Sequence, residues 1–283
     1  ILLTVLGRSK ERRISRKDGY VVVTLCWVVF SLYGSMPYYL SGYLTNITDA
    51  FFETMAGFTT TGASVISNLE ALPRSLVFWR IMTQWIGGLG IVFFTVAVLP
   101  IFGLGDMHLF AAETVGIARA KLHPRISVTA RWILIIYICL TLFEALCLKL
   151  AGMGYYDALC HAMSTMSTGG ISTKNGGIAA FNSPTIEYII TLFMLIGGTS
   201  FSLLYLAFFR GRFAELFRDP EFKTYLSLVA GFTLVIGIGL YFTDTTSAEN
   251  TFRVALFQVV SVISTTGFST TDYSQWTPVL WLT

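Results

Sequence analysis

The sequence predicts an all-α integral membrane protein built from tandem repeats, and three observations support that prediction. Of its 283 residues, 54% are apolar and only 12% are Asp, Glu, Lys or Arg, whereas about a quarter of the residues in an average soluble domain are charged. Apolar runs of about 20 residues, long enough to cross a bilayer as helices, recur along the chain. A polar pattern between these runs occurs three times. The net charge of +3 is too small to indicate a nucleic-acid-binding protein.

The apolar runs predict five complete spans, and Ile1–Leu6 is expected to be the end of a preceding one. The five predicted spans are Tyr20–Leu40, Leu76–Phe102, Arg131–Ala151, Ile186–Phe209 and Thr224–Phe242. Fourteen of the nineteen Lys and Arg residues lie in three of the intervening segments, Arg8–Lys17, Gly103–Arg131 and Arg210–Lys223. Because basic loops stay in the cytoplasm, we predict that these three segments are inside and that the other connections are outside.

The three outside connections contain one repeated pattern. Residues 49–64, 157–172 and 254–269 align without a gap, and each copy runs from a short amphipathic stretch into a Ser/Thr tract closed by Gly and Ser. Each copy is followed by a proline, and two of the next spans contain a Gly-Gly pair that we expect to allow close helix packing. These residues are Pro73, Pro184 and Pro278, then Gly87-Gly88 and Gly197-Gly198. The repeat unit is therefore a span, a re-entrant segment and a second span.

The Ser/Thr/Gly tracts have the chemistry of a cation-binding backbone. A short helix that stops inside the bilayer directs its partially negative C-terminal end towards the membrane centre. Because the tract Thr59–Gly62 has no ionisable group, its available ligands are carbonyl and hydroxyl oxygens, which can replace the water shell of an alkali ion. Glycine suits such a tract because it adopts left-handed conformations at little cost. Three copies predict repeats arranged around a central ion pore.

The repeats divide the chain into five parts. Residues 1–16 are the end of a preceding span and a basic loop, 17–102 are the first pore repeat, 103–130 are a cytoplasmic loop, 131–210 are the second repeat and 211–283 are an incomplete third repeat. A fourth repeat is expected beyond Thr283, outside this chain.

From about Lys17 onward, these motifs resemble the TrkH/KtrB/HKT superfamily of potassium transporters. The loop segments Gly103–Thr114 and Lys121–Ile126 resemble the TrkH branch more than KtrB, and Phe201–Leu206 and Asp219–Leu226 also resemble the family. The resemblance implies potassium uptake by a multi-pass protein of the bacterial inner (plasma) membrane that is not an enzyme, with K⁺ as the transported ion and no organic cofactor. It also implies a homodimer regulated by a cytosolic nucleotide-binding subunit of the TrkA type.

The resemblance assigns a K⁺ selectivity filter by position. The nine filter residues are Thr60, Thr61, Gly62, Thr168, Gly169, Gly170, Thr265, Thr266 and Gly267. The fourth filter tract and the family's gating residues fall outside the chain. Coupled symport and channel-like flux therefore both remain open at this point.

The sequence also suggests three alternative functions. Within the superfamily, the protein could transport sodium or monovalent cations without selectivity, and Gly62 favours potassium because serine at this position accompanies sodium transport in plant HKT relatives. A conventional tetrameric cation channel has similar filter chemistry but needs only one repeat per chain, so the divergent tandem repeats disfavour this alternative. An intramembrane aspartyl protease is suggested by Gly103-Leu-Gly-Asp106 and Tyr156-Asp157, but the two acids lie on opposite predicted sides of the membrane, whereas paired catalytic carboxylates share one site.

Four ionisable residues in the apolar regions need separate interpretations. We expect Asp49 and Asp157 to cap their short helices rather than to attract cations. We expect His161 to be packed or hydrogen-bonded rather than a proton relay. Glu144 lies inside a span and is a candidate functional acid, with a local pair to Lys149 as the simpler alternative.

Overall fold

The structure is a computed structural model and describes residues 16–90, 126–243, 247–271 and 276. Within those ranges all regular secondary structure is helical, which confirms the predicted all-α fold class. The α-helices are α1 Arg16–Leu40, α2 Ile47–Phe58, α3 Arg74–Gly88, α4 Ile126–Leu150, α5 Tyr155–Met166, α6 Pro184–Gly197, α7 Phe201–Arg210, α8 Phe213–Arg218, α9 Pro220–Thr243 and α10 Ala248–Ile263. Two short 3₁₀ helices cover Leu69–Ala71 and Gly177–Phe181.

Long helices alternate with short helices that turn back against them. Helix α1 packs against α2, α4 against α5 and α9 against α10. Helices α2 and α5 contain 12 residues each. At a rise of about 1.5 Å per residue they are about 18 Å long, too short for the roughly 30 Å hydrocarbon core of a bilayer.

Consecutive units pack through the helix that follows each short helix. Helix α3 contacts both α2 of its own unit and α5 of the next, and α6 likewise contacts α5 and α10. The largest buried apolar cluster joins helices of the second and third units, with Leu148, Ile190 and Phe257 fully buried. Helices α5 and α10 are thus each held between the long helix of their own unit and the helix that follows the short helix of the preceding unit.

The short helices begin earlier than the sequence pattern predicted. Asn46 caps α2, and its side-chain oxygen accepts a hydrogen bond from the Thr48 amide at 3.0 Å. Ser247 caps α10 in the same way, while Gly154 precedes α5 without a side-chain cap. Asp49 and Asp157 therefore lie inside the first turn, and the prediction that they are N-caps is wrong. A carboxylate in the first turn still interacts favourably with the helix dipole.

The prediction of one helical span over residues 186–209 is also wrong, because the structure has two helices there. Helix α6 ends at Gly197, and α7 begins at Phe201 after the non-helical residues Gly198–Ser200. Two successive glycines disfavour helix, and Ser200 has non-helical angles, φ −53° and ψ 120°, before α7. The predicted span 76–102 begins as α3, which ends at Gly88, and its residues from 91 onward lie outside the described part of the chain.

Two helices in the described ranges are long and apolar enough to cross a membrane, over Arg131–Leu150 and Pro220–Phe242. Large apolar side chains on their outer faces, including Leu142, Leu234 and Ile238, are exposed. Such faces are suited to contact with lipid. Three predicted features lie outside the described residues: the end of a preceding span at Ile1–Leu6, residues 8–15 of the basic segment and the loop residues 103–125.

Candidate functional site

Each short helix runs into a polar stretch that we call a return segment: residues 59–64, 167–172 and 264–269 are the first, second and third return segments. All three helices end in the same way. After α2, the amides of Thr60 and Thr61 donate to the carbonyls of Gly57 and Ala56, each at 3.0 Å. This pair of bonds is the Schellman motif, which satisfies the last helix carbonyls. The corresponding bonds are Thr168 to Thr165, Gly169 to Ser164, Thr265 to Val262 and Thr266 to Ser261.

Left-handed residues recur at the same places in each return segment. The φ angles are +52° at Thr60, +51° at Thr168 and +59° at Thr265, and two residues later +76° at Gly62, +67° at Gly170 and +83° at Gly267. The sequence predicted left-handed conformations at the glycines but not at the threonines. A non-glycine residue with positive φ is uncommon, and here it occupies the Schellman position that glycine usually takes.

Two of the predicted filter glycines, Gly62 and Gly170, bring neighbouring return segments into direct contact. A Cβ atom added to Gly62 would lie 3.2 Å from the Gly169 carbonyl oxygen, and one added to Gly170 would lie 2.0 Å from the Thr266 carbonyl oxygen. The first segment therefore abuts the second, and the second abuts the third, through equivalent atoms. Chain order and spatial order agree, as expected for segments arranged around one axis.

The Gly-Gly pairs have the packing role that the sequence predicted. A Cβ atom on Gly87 would lie 2.0 Å from the Phe58 carbonyl oxygen at the end of α2. One on Gly88 would lie 2.6 Å from the Cβ of Ser167, and one on Gly198 would lie 3.0 Å from the Cβ of Ser264. Thus the helix after one return segment touches the first residue of the next return segment.

The three predicted filter glycines open onto one cavity. Its volume is about 660 Å³, and Gly62, Gly170 and Gly267 all contribute to its lining. Two cationic side chains, Arg80 and Lys174, also line it. Residues 174–177 and 269–271, in the connections predicted to be outside, also line the cavity.

A buried carboxylate supports the first return segment from behind. Glu53 is 1% exposed and accepts hydrogen bonds from the Ser64 hydroxyl at 3.1 Å and from the Val65 amide at 3.0 Å. The guanidinium of Arg80 on α3 pairs with the same carboxylate. A buried charge requires such a partner. Sequence reasoning missed both residues, because neither lies in the Ser/Thr/Gly tract.

The same position of the second short helix is His161, which makes the equivalent contact. Its Nε2 lies 2.9 Å from the Ser172 hydroxyl, and its Nδ1 lies 2.7 Å from the Asp157 carbonyl oxygen. Because a carbonyl only accepts hydrogen bonds, Nδ1 is the protonated nitrogen and Nε2 accepts from the serine. This matches the expectation of a hydrogen-bonded histidine. Asp157 itself accepts from Thr173 at 2.6 Å.

Glu144 lies behind the second unit, on α4. It is fully buried, and neither carboxylate oxygen has a hydrogen-bond partner among the described residues. The alternative of a local pair with Lys149 is not formed, since the Lys149 ammonium lies 3.9 Å from the centre of the Tyr155 ring. Glu144 stays a candidate functional acid, and a functional role for it stays a prediction.

The oxygens of the return segments suit an alkali cation. None of the three segments contains a carboxylate, so the available donors are carbonyls and hydroxyls, which are hard ligands. Across the described residues, no three His, Cys, Asp or Glu side chains are grouped so as to hold a metal ion. Asp106, which belongs to the aspartyl protease alternative, lies outside the described residues.

Comparisons with known proteins agree with this architecture. A sequence model of the family described as TrkH, cation transport protein, matches residues 2–283. The Trk system potassium uptake protein TrkH of Halomonas elongata is 39% identical over 277 residues, covering 97% of this chain and 58% of that protein. TrkH of Escherichia coli K12 is 39% identical over 274 residues, covering 95% and 56%.

A solved structure is also similar. The crystal structure of the potassium transporter TrkH from Vibrio parahaemolyticus aligns with a TM-score of 0.81 and 36% identity, covering 97% of this chain and 56% of that one. This chain thus spans somewhat more than half the length of the relatives it matches.

Proposed function

This chain belongs to the TrkH family of cation transport proteins, and from that membership we propose that it carries most of the selectivity filter of a potassium-uptake protein. The proposed location is the inner (plasma) membrane of a bacterium, and K⁺ is the transported ion. The function is ion transfer rather than catalysis. Relatives with 39% identity are named potassium uptake proteins, which supports potassium as the substrate.

One structural observation carries the proposal. Three return segments alternate left-handed residues in the same way, abut one another in chain order and open through Gly62, Gly170 and Gly267 onto one cavity. Alternating conformations turn successive carbonyls to one side of a strand, and rings of such carbonyls replace the water shell of potassium. We propose that Thr60–Gly62, Thr168–Gly170 and Thr265–Gly267 form three sides of this filter.

The proposal extends to partners. We propose a homodimer with one pore in each protomer, controlled by a TrkA-like cytosolic nucleotide-binding subunit. The predicted cytoplasmic segments Gly103–Arg131 and Arg210–Lys223 are short, mixed in charge and without a ligand-binding motif of their own in the sequence. In the second, Arg212 and Glu215 form an exposed ion pair. Control by a docked protein is therefore expected. Nucleotide-dependent flux through the purified full-length transporter without a second protein would contradict this part.

Growth at low potassium tests the main proposal. The full-length protein is expected to restore growth of a bacterium that lacks its own potassium uptake systems when external potassium is low and sodium is high. Uptake of potassium and of sodium should be measured in the same cells. Equal uptake of both ions by a well-expressed protein would contradict potassium selectivity and indicate a general transporter of monovalent cations.

A further inference from the structure

The second return segment lacks a hydroxyl group that the other two segments share. In the first segment the Thr59 and Thr61 hydroxyls lie 2.7 Å apart, and in the third the Ser264 and Thr266 hydroxyls lie 2.7 Å apart. The corresponding residue of the second segment is Gly169, which has no hydroxyl. Gly169 is not among the left-handed glycines, so its backbone conformation does not require glycine.

The side chain of Gln84 explains the glycine. Gln84 lies on α3, 85 residues earlier in the chain, and is fully buried. A Cβ atom on Gly169 would lie only 1.9 Å from Cδ of Gln84, 2.2 Å from its Nε2 and 2.4 Å from its Cγ. The glutamine therefore occupies the space that a side chain at residue 169 would need.

Gln84 also binds the backbone of the second segment. Its Nε2 donates to the Gly169 carbonyl oxygen at 2.7 Å, and its Oε1 accepts from the Ser164 hydroxyl at 3.2 Å. Ser164 in turn accepts from the Ile171 amide at 2.7 Å. One amide side chain thus connects a helix of the first unit to the carbonyl of residue 169 and, through Ser164, to the amide of residue 171.

The bound carbonyl lies at the junction between two return segments. It is the same oxygen that a Cβ atom on Gly62 would approach to 3.2 Å. A carbonyl oxygen has two lone pairs, so it can accept from Gln84 and retain one for another ligand. Its direction is nevertheless set by the glutamine.

We propose that Gln84 is a positioning residue that determines ion selectivity by fixing the Gly169 carbonyl and by replacing the side chain present at Thr61 and Thr266. This inference rests on the proposed potassium filter and adds a determinant outside the filter sequence. Gln84 lies three residues before Gly87-Gly88, and the residue three before Gly197-Gly198 is Met194. The return segment that follows Met194 has Thr266 at the position of Gly169. Gln84 and Gly169 therefore form a matched pair.

The first experiment separates hydrogen bonding from packing. Gln84→Met in the full-length protein keeps a side chain of similar volume but removes both the donor to the Gly169 carbonyl and the acceptor for the Ser164 hydroxyl. Expression and monodispersity in detergent are expected to persist, while the ratio of potassium to sodium uptake falls roughly tenfold, the factor that corresponds to the lost hydrogen bond to the Gly169 carbonyl. A well-expressed Gln84→Met protein with unchanged selectivity would overturn the positioning role.

The second experiment tests the matched pair. Gly169→Ala is expected to abolish most potassium uptake because the added Cβ collides with Gln84. Gln84→Ala removes all three of the nearest atoms, so the double variant Gln84→Ala/Gly169→Ala is expected to recover uptake relative to Gly169→Ala alone. Such coupling is the signature of a direct contact. Additive losses in the double variant would overturn the steric part.

Two controls keep the outcomes distinct. Gly231→Ala on α9 adds a Cβ with no atom within 4 Å and is expected to leave uptake unchanged. The unmodified protein must carry potassium in preference to sodium in the same assay. If the unmodified protein shows no preference for potassium, the proposed function fails. If the unmodified protein prefers potassium and Gln84→Met has the same selectivity, only the role of Gln84 is contradicted.

Discussion

The carboxylate of Glu53 on α2 and the guanidinium of Arg80 on α3 form an ion pair in which the side chains are only 1% and 4% exposed. The carboxylate also holds the Ser64 hydroxyl and the Val65 amide. Through this group, the helix after the first return segment is tied to the segment itself.

We predict that Arg80→Met destabilises the protein strongly, because it leaves Glu53 charged and unpaired in a buried site. Removing one partner of a buried pair costs about 3–5 kcal/mol, and a lower Tm of the detergent-solubilised protein measures the loss. The double variant Glu53→Gln/Arg80→Met should regain much of it. Arg212→Met is the matched control, because its pair with Glu215 is 55% and 48% exposed and is worth at most about 1 kcal/mol. Equal Tm values for both single variants would contradict the prediction.

The filter glycines are expected to differ in their tolerance of serine. At Gly62 the added Cβ would lie 3.2 Å from the Gly169 oxygen, a contact that small shifts relieve, whereas at Gly170 it would lie 2.0 Å from the Thr266 oxygen. We predict that Gly62→Ser is expressed with lower selectivity for potassium over sodium. Gly170→Ser should fail to yield a monodisperse protein, as measured by size exclusion.

The control for these variants is Gly42→Ser. Gly42 has a φ angle of +77° and no atom within 4 Å of an added Cβ, so this variant carries the conformational strain without the collision. It should retain uptake and selectivity. Unchanged selectivity in a well-expressed Gly62→Ser protein would show that this glycine does not discriminate between the ions.

Membrane topology follows from the basic segments. Cysteine substitutions of Arg12, Lys121 and Arg218 are predicted to be inaccessible to a membrane-impermeant thiol reagent in intact cells, while those of Glu70, Lys174 and Glu249 are predicted to be labelled. Glu70, Lys174, Arg218 and Glu249 are exposed in the structure, so burial does not mask their result. A background without Cys26, Cys139, Cys147 and Cys160 is needed, since none of these four described cysteines is in a disulfide. Labelling of Lys121→Cys in intact cells would overturn the topology.

The sequence predicted the features that depend on local pattern. The all-α class followed from apolar runs, and the three return segments followed from gapless alignment of residues 49–64, 157–172 and 254–269. Left-handed glycines followed from the need to align carbonyls. All of these features are contained within a short stretch of chain, so periodicity and residue type are sufficient to indicate them.

Features that depend on distant contacts were not predictable in this way. Gln84 contacts Gly169 across 85 residues, and Glu53 contacts Arg80 across 27. Left-handed Thr60 violates the usual preference for glycine, and only the hydrogen bonds at the helix end account for it. The break between α6 and α7 was missed because apolar runs lie on both sides of the short stretch Gly197–Ser200, although Gly197-Gly198 was a usable signal.

Substitution of the buried acid Glu144 tests whether its ionisation is required for transport. Burial of an ionised carboxylate without a partner is very unfavourable, so a neutral acid is the form compatible with this site. We predict that Glu144→Gln, which has the same shape and no charge, retains both Tm and potassium uptake, whereas Glu144→Lys fails to fold. A folded Glu144→Gln protein without uptake would instead show that ionisation of Glu144 is required for transport.

The last prediction concerns the charge of the cavity in front of the filter glycines. Lys174 lines this cavity and is exposed, so its ammonium repels an approaching cation. We predict that Lys174→Gln increases the initial rate of potassium uptake at low external potassium and low ionic strength. The effect should shrink as salt is added, because the Debye length is about 10 Å at 0.1 M. Lys149→Gln is the control, since the Lys149 ammonium lies over the Tyr155 ring and is not part of the cavity lining. If both variants, or neither, change the rate at low ionic strength, the local field of Lys174 does not govern the approach of the ion.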